Sequence, residues 1–538
     1  MALFHSTRRW FGVAAVFSLI TLTPLAVILS AFLDPSPDIW AHLSEFVLPR
    51  LLWNTFVLML GVSIGGLLLA VPLAWLIAMY DFPGRRFFSW ALMLPLAMPA
   101  YVMAFTQIGL FDFTGPIQTW MREVWGTSAA MPPIRSTGGV ILVMSLALYP
   151  YIYLLARDAF ASMGRRALEA GQSLGLSRRQ AFFRVALPMA RPWIVGGVSL
   201  ALMETLADFG TVSIFNYDAF TTAIYKAWFG LFSLSSASQL ASLLVLLVFV
   251  LVWYELRARG RRAYTVTGRG SIQAKRDRLP TLSGLVATAW ASVVLGLAFV
   301  IPFGQLLWWC RQAIETDLDA RYISFVWYSL LLAGLAAVAV AVVALLISYA
   351  QRRDARQRTR FAVRLATLGY AVPGTVLAVG VFIPIAWLDN VLLNLFSSYL
   401  PEGQTAIFKG TLLVMILAYI ARFLAVGFQS VDAAMQRITR SQEETARVLG
   451  ESGWGLLRRL YLPLLQGGLF TALLMVFVDV MKEMPITLMT RPFGWDTLAV
   501  RVFEMTSEGE WERAALPSVA IVLVGLLPVI LLAQRRHA

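Results

Sequence analysis

Long apolar runs alternate with short polar stretches along the whole chain, and the runs repeat at lengths close to a bilayer crossing. A helix needs about 20 apolar residues to cross the hydrocarbon core, where only helices or closed barrels satisfy the backbone. The pattern predicts twelve helices, at 10–32, 56–79, 90–111, 138–157, 194–215, 237–255, 284–309, 325–350, 364–387, 408–428, 465–490 and 516–534. The expected class is an all-α integral membrane protein with about twelve transmembrane helices. The first run follows Arg8 and Arg9 and is longer than a secretory leader's apolar region, so it reads as an uncleaved anchor.

The polar stretches differ among themselves. Most of the 44 Lys and Arg fall in alternate loops, and the 30 acids favour the others. The positive-inside rule then places both termini in the cytoplasm. Composition agrees: 59% of residues are hydrophobic and 14% charged, against about 25% charged in a soluble domain, which excludes a water-soluble enzyme. The single cysteine excludes an intrachain disulfide, and three His at 5, 42 and 537 argue against a His-rich metal site. The net charge of +14 is accounted for by the loops, so no nucleic-acid partner is expected.

Self-comparison doubles the architecture. Trp53 pairs with Trp327 and Pro99 with Pro373 at an offset of 274, and Glu169, Gly175, Arg184, Leu187 and Pro188 pair with Glu444, Gly450, Arg459, Leu462 and Pro463 at 275. Six spans per repeat is an even number, so the two six-helix repeats insert in parallel. The expected organisation is a first transmembrane half at 1–260, a basic cytoplasmic linker at 261–280 touching lipid headgroups, and a second half at 281–538.

The loops holding the paired Glu and Gly read alike: a short helix ended by Gly, a turn, and a second amphipathic helix ended by Pro. Leu174, Leu176, Phe182 and Phe183, and in the second loop Leu449, Leu456 and Leu457, supply apolar knobs suited to a protein partner. A second reading is an amphipathic linker lying on the membrane. No G-x-x-x-x-G-K-[ST] phosphate loop, nucleophile–base pair or metal triad occurs, so no catalytic role is expected.

This pattern resembles the EAA loop of permeases in binding-protein-dependent ABC importers, carried here by Glu169, Ala170, Gly171, Gly175, Leu187 and Pro188 and by Glu444, Thr445, Ala446, Gly450, Leu462 and Pro463. Gly171 and Thr445 stand where the family has alanine, and Val185 and Leu460 where it has Ile. The resemblance implies docking of two copies of an ABC ATPase subunit, which bind ATP and Mg, while this chain holds no cofactor. Together with the fused two-half layout, Leu94-Pro95-Leu-Ala-Met-Pro99, Glu204-Thr-Leu-Ala-Asp-Phe-Gly210 and Lys482-Glu-Met-Pro-Ile-Thr487 resemble the ferric-iron type. That implies a bacterial inner-membrane permease taking iron from a periplasmic substrate-binding protein. Fused thiamine permeases share the layout and unfused relatives carry polyamines or sulfate, so these stay open as alternatives, as does an ion-coupled secondary transporter.

Five charges fall inside predicted spans: Glu204, Asp208, Asp479, Lys482 and Glu483. Each costs about 2.5 to 3.5 kcal/mol at a span centre, so they are expected to face the interior as a translocation path or gate. The competing reading is a structural network in which Lys482 neutralises Asp479 or Glu483. Gly210 and Pro485 align at 275 and predict that both helices break just past the acids. Tyr149, Tyr151 and Tyr153 are either packing residues or hard oxygen donors for a ferric ion.

Overall fold

A computed structural model describes residues 2–33, 37–126, 132–163, 166–259, 276–396, 406–451 and 453–534. Most of the expected linker, at 260–275, lies outside the described residues. Eleven helices are long and apolar enough to cross a membrane, and a twelfth crossing is counted if one bent pair is a single span. Each overlaps a predicted run, though the second begins at Trp40 and the fifth and eleventh run from Arg179 to Ala207 and from Leu457 to Lys482; two further differences are instructive.

The third predicted span is not one helix. The segment Arg85–Ala97 meets Ala100–Trp125 at 94°. The ninth begins at Gly374, ten residues later than its apolar run. One cause serves both. The 3-10 turns Leu94–Ala97 and Leu368–Ala371 lead to Met98 and Val372, both extended, and then to Pro99 and Pro373 with φ −56° each. Proline forces its predecessor out of the helical region and offers no N–H, so the chain turns before starting a new helix. Among the described residues the only strands are Tyr80–Asp81 and Asp277–Arg278, which pair in parallel and fasten the end of the basic linker.

Two compact units are present, and they do not follow the halves 1–260 and 281–538. One contains Met1–His42, Ala223–Val245 and Leu318–Phe503; the other contains Leu43–Thr222, Leu246–Asp317 and Glu504–Ala538. In the first unit, the helix Ala2–Leu29 packs among second-half helices. Its Thr21 hydroxyl donates to the Ala366 carbonyl at 2.9 Å, and Trp10 meets Tyr349 edge-on at 4.8 Å. In the second, Gln107 donates to the Leu297 carbonyl at 2.8 Å, Phe105 stacks on Trp309 and Trp511, and Arg513 grips Asp317 at 2.7 Å.

Candidate functional site

The repeated loops share one backbone design. The helix Arg166–Ser173 gives way to Gly175 at φ +89°, whose N–H donates to the Gln172 carbonyl at 2.9 Å while the Leu176 N–H donates to Gly171 at 3.1 Å. The helix Arg440–Val448 ends in the same way. Gly450 sits at φ +87°, its N–H donates to Arg447 at 3.0 Å, and the Glu451 N–H donates to Ala446 at 3.0 Å. Both are Schellman endings, which satisfy the last helical carbonyls only if the terminal residue adopts a left-handed conformation. Thr439 and Gln442 form a capping box at the start of the second loop helix.

Beyond the turn, the expected stop at Pro is absent. Short helices Arg178–Ala181 and Gly453–Leu456 run into π-helical turns Phe182–Ala186 and Leu457–Tyr461, again 275 apart. These continue without a break into Leu187–Ala207 and Leu462–Lys482, with Pro188 and Pro463 in the first turn of each. Leu187 donates to the Phe182 carbonyl and Leu462 to the Leu457 carbonyl, each five residues back. The extra residue widens the turn beside a ring that lacks an N–H and crowds the carbonyl four residues behind it. Each loop's second helix and the span that follows are therefore one continuous piece.

Exposure sorts the loop residues. Glu169, Glu444 and Thr445 are exposed, as are Pro188 and Pro463; Leu187, Leu462 and Ala446 are half-buried, and Gly171 is buried. Ala170 lies within the first loop helix. Leu174 and Leu449, at equivalent positions beside the left-handed Gly, are 85% and 77% exposed, and Phe183 is also exposed. The other expected knobs turn inward. Leu456 and Leu457 are buried with Tyr349, Tyr461 and Leu465, and Phe182 packs on Trp75 at 4.8 Å.

Sequence reading passed over Glu443. It is buried, unlike its neighbour Glu444, and accepts from Arg352 Nε at 2.8 Å, while Arg352 Nη2 donates to the Ile438 carbonyl at 2.6 Å. Two positions change together between the repeats: Arg352 and Glu443 stand where the first half has Ala78 and Leu168. That paired change is the available sequence signal.

The predicted breaks past the membrane acids are present. The helix Leu187–Ala207 ends at Asp208, and Gly210–Ile214 follows; Leu462–Lys482 ends at Glu483, and Pro485–Thr490 follows. Asp208 Oδ1 accepts from the Val212 N–H at 3.2 Å and Oδ2 from the Thr211 hydroxyl at 2.9 Å. Glu483 accepts from the Ile486 N–H at 3.0 Å and the Thr487 N–H at 3.3 Å. Each acid thus caps the short helix beyond its own break, where backbone donors would otherwise be unsatisfied. Glu204 and Asp479 lie one turn earlier in the longer helices, both half-buried, and Lys482 closes the second. Tyr149 and Tyr153 are fully buried and donate to the Leu92 and Ser89 carbonyls at 2.9 and 3.3 Å, so both serve packing, while Tyr151 is half-buried.

The two halves thus repeat both a glycine-ended loop and a broken span. Residues 70–259 and 344–535 match the family described as binding-protein-dependent transport system inner membrane component, and the chain belongs to that family, carrying its unit twice. It is a multi-pass inner-membrane permease. The chain is 29% identical over 489 residues to the Fe(3+)-transport system permease protein FbpB 2 of Haemophilus influenzae, covering 90% of this chain and 89% of that one. It is 23% identical to the ferric transport system permease protein FbpB of Actinobacillus pleuropneumoniae, over 81% of this chain and 64% of the relative. The sulfate transport system permease protein CysT of Escherichia coli is 28% identical over 36% of this chain and 69% of its own length.

Proposed function

We propose that this permease carries ferric iron from a periplasmic binding protein to the cytoplasm, driven by two ATPase subunits docked on the paired loops. The carrying observation is similarity to a ferric permease along both repeats, 90% of this chain and 89% of that relative. The mirrored loops support the docking. Each presents an exposed acid, Glu169 or Glu444, and an exposed leucine, Leu174 or Leu449, beside a fixed left-handed turn. Each is continuous with a span that ends at a capped break, so a push on the loop reaches Asp208 or Glu483 through a single helix. Glu204, Asp208, Asp479, Lys482 and Glu483 form the gate region in this reading, and both termini face the cytoplasm.

The complex purified through this chain tests the reading. One permease with two ATPase copies by native mass, and ATP-dependent uptake of ferric iron delivered by its binding protein, is the expected result. Uptake of sulfate in place of iron would reassign the substrate, and uptake driven by a proton gradient without ATP would overturn the importer mechanism. Gly175→Val and Gly450→Val, which place a branched residue at φ near +90°, are expected to insert normally yet lower ATPase co-purification and transport about tenfold each. Unaltered co-purification in both would remove the docking role.

A further inference from the structure

The two loops share a backbone but are fastened to their spans by different chemistry. In the first, Trp75 sits at 5.1 Å from Phe160 and 4.8 Å from Phe182, Ala78 is buried and Leu168 half-buried. In the second, Tyr349 takes the place of Trp75 and packs edge-on against Tyr461 at 5.2 Å, its hydroxyl accepts from Arg353 at 2.7 Å, and the charged pair Arg352 and Glu443 replaces Ala78 and Leu168. Arg352, at the end of the helix Ala320–Arg353, reaches Glu443 with Nε at 2.8 Å and Nη2 at 2.7 Å, and Nη2 also reaches the Ile438 carbonyl. Its planar fork thereby ties the end of a span, the carbonyl leading out of the helix Leu412–Met435, and the first turns of the loop helix Arg440–Val448. Beside this contact lies a cavity of about 450 Å³ lined by Ser348, Gln436, Arg440, Glu444 and Arg447, so close packing does not hold the loop helix on that side.

We propose that Arg352 is a positioning residue, a charged latch that holds the second docking helix in register with its span, so that ATPase motion enters the second half through an ion pair and the first half through apolar contact. The latch rests on the docking role of the loops proposed above. Its partner Glu443 is buried and, without Arg352, keeps the weaker Arg447 contact at 3.7 Å on its other oxygen, so opening the latch removes the direct tie between the loop helix and the end of the span. No such residue pair exists at Ala78 and Leu168.

The full complex in proteoliposomes, with ferric iron supplied on the binding protein, tests this by comparing ATP hydrolysed per iron taken up. Arg352→Ala is expected to retain the bound ATPase and its hydrolysis while lowering iron moved per ATP about tenfold. The exchange Arg352→Glu with Glu443→Arg should bring coupling back to within about threefold of the natural chain. Should Arg352→Ala fail to insert, Glu443→Gln keeps the side-chain shape and carries the same expectation. An unchanged ratio in the single variants, or an exchange no better than Arg352→Ala, would overturn the latch. If Gly450→Val releases the ATPase while the Arg352 variants stay coupled, the latch alone fails. If neither Gly175→Val nor Gly450→Val releases it, the docking reading fails first.

Discussion

Glu443 and Glu444 are adjacent, yet one is buried and the other open to solvent. Burial works against the ionised form of Glu443, but the Tyr461 hydroxyl, the Arg352 guanidinium and the charge of Arg353 outweigh it and hold the carboxyl below its ordinary range. A proton therefore binds the unfolded chain more readily than the folded one. The resulting stability is fully present above the unfolded value of about 4.3 and is lost as pH falls through the lower folded value. Thermal unfolding in detergent between pH 7 and 3 should show a decline below pH about 4 that is shallower in Glu443→Gln; parallel declines would assign the acid sensitivity elsewhere. Gly175 and Gly450 were legible in sequence because a helix ending in a left-handed residue selects Gly locally. The Arg352–Glu443 pair was not, because its partners are 91 residues apart and meet only through packing of the intervening helices.

Among elements, the helix breaks were legible and their caps were not. Gly210 and Pro485 mark the breaks locally, but only the folded chain shows the acids turning back onto the next helix. Glu483 needs room to do so. A Cβ on Gly374 would lie 2.6 Å from Glu483 Oε1 and 3.2 Å from the Pro485 ring, whereas the first half has Ala100 at this position and the shorter Asp208 as its acid. Gly374→Ala is expected to destabilise the protein by about 1 to 3 kcal/mol, read as lowered thermal stability, with Glu483→Asp restoring part of the loss. Gly467→Ala, where nothing lies within 4 Å of the added carbon, should be neutral or stabilising by up to about 1 kcal/mol. Equal effects at the two glycines would show that the close approach carries no weight. The continuous helices through Pro188 and Pro463 also escaped sequence reading, since a proline can end a helix or be carried within one, as Pro72 and Pro150 are, and the widened turn that precedes Pro188 and Pro463 leaves no fixed residue signature.

At the scale of the molecule, each compact unit draws segments from both sequence halves. The second half holds Ala366, whose carbonyl receives the Thr21 hydroxyl, and Gly380, which lies against Pro24; both partners come from the first half. Neither half is therefore complete by itself. Residues 276–538 produced alone should be degraded or aggregate, and co-production with residues 1–259 should restore a stable, inserted pair, measured by membrane yield and protease resistance. Stable accumulation of the second half alone would show that the exchanged segments are dispensable.

What the sequence alone determined follows from local and periodic constraints: the helical class from the length of apolar runs, the duplication from the constant offset, the loop turns from glycine and the breaks from proline and glycine. Only the tertiary structure decided which helices share a compact unit, which of two adjacent glutamates is buried, and that Asp208 and Glu483 cap the helices beyond them. The physical reason is the surroundings. Every span must be apolar to enter the bilayer, so hydropathy cannot distinguish one partner helix from another, and the selection falls to shape and to the few polar groups that must find partners once water is gone.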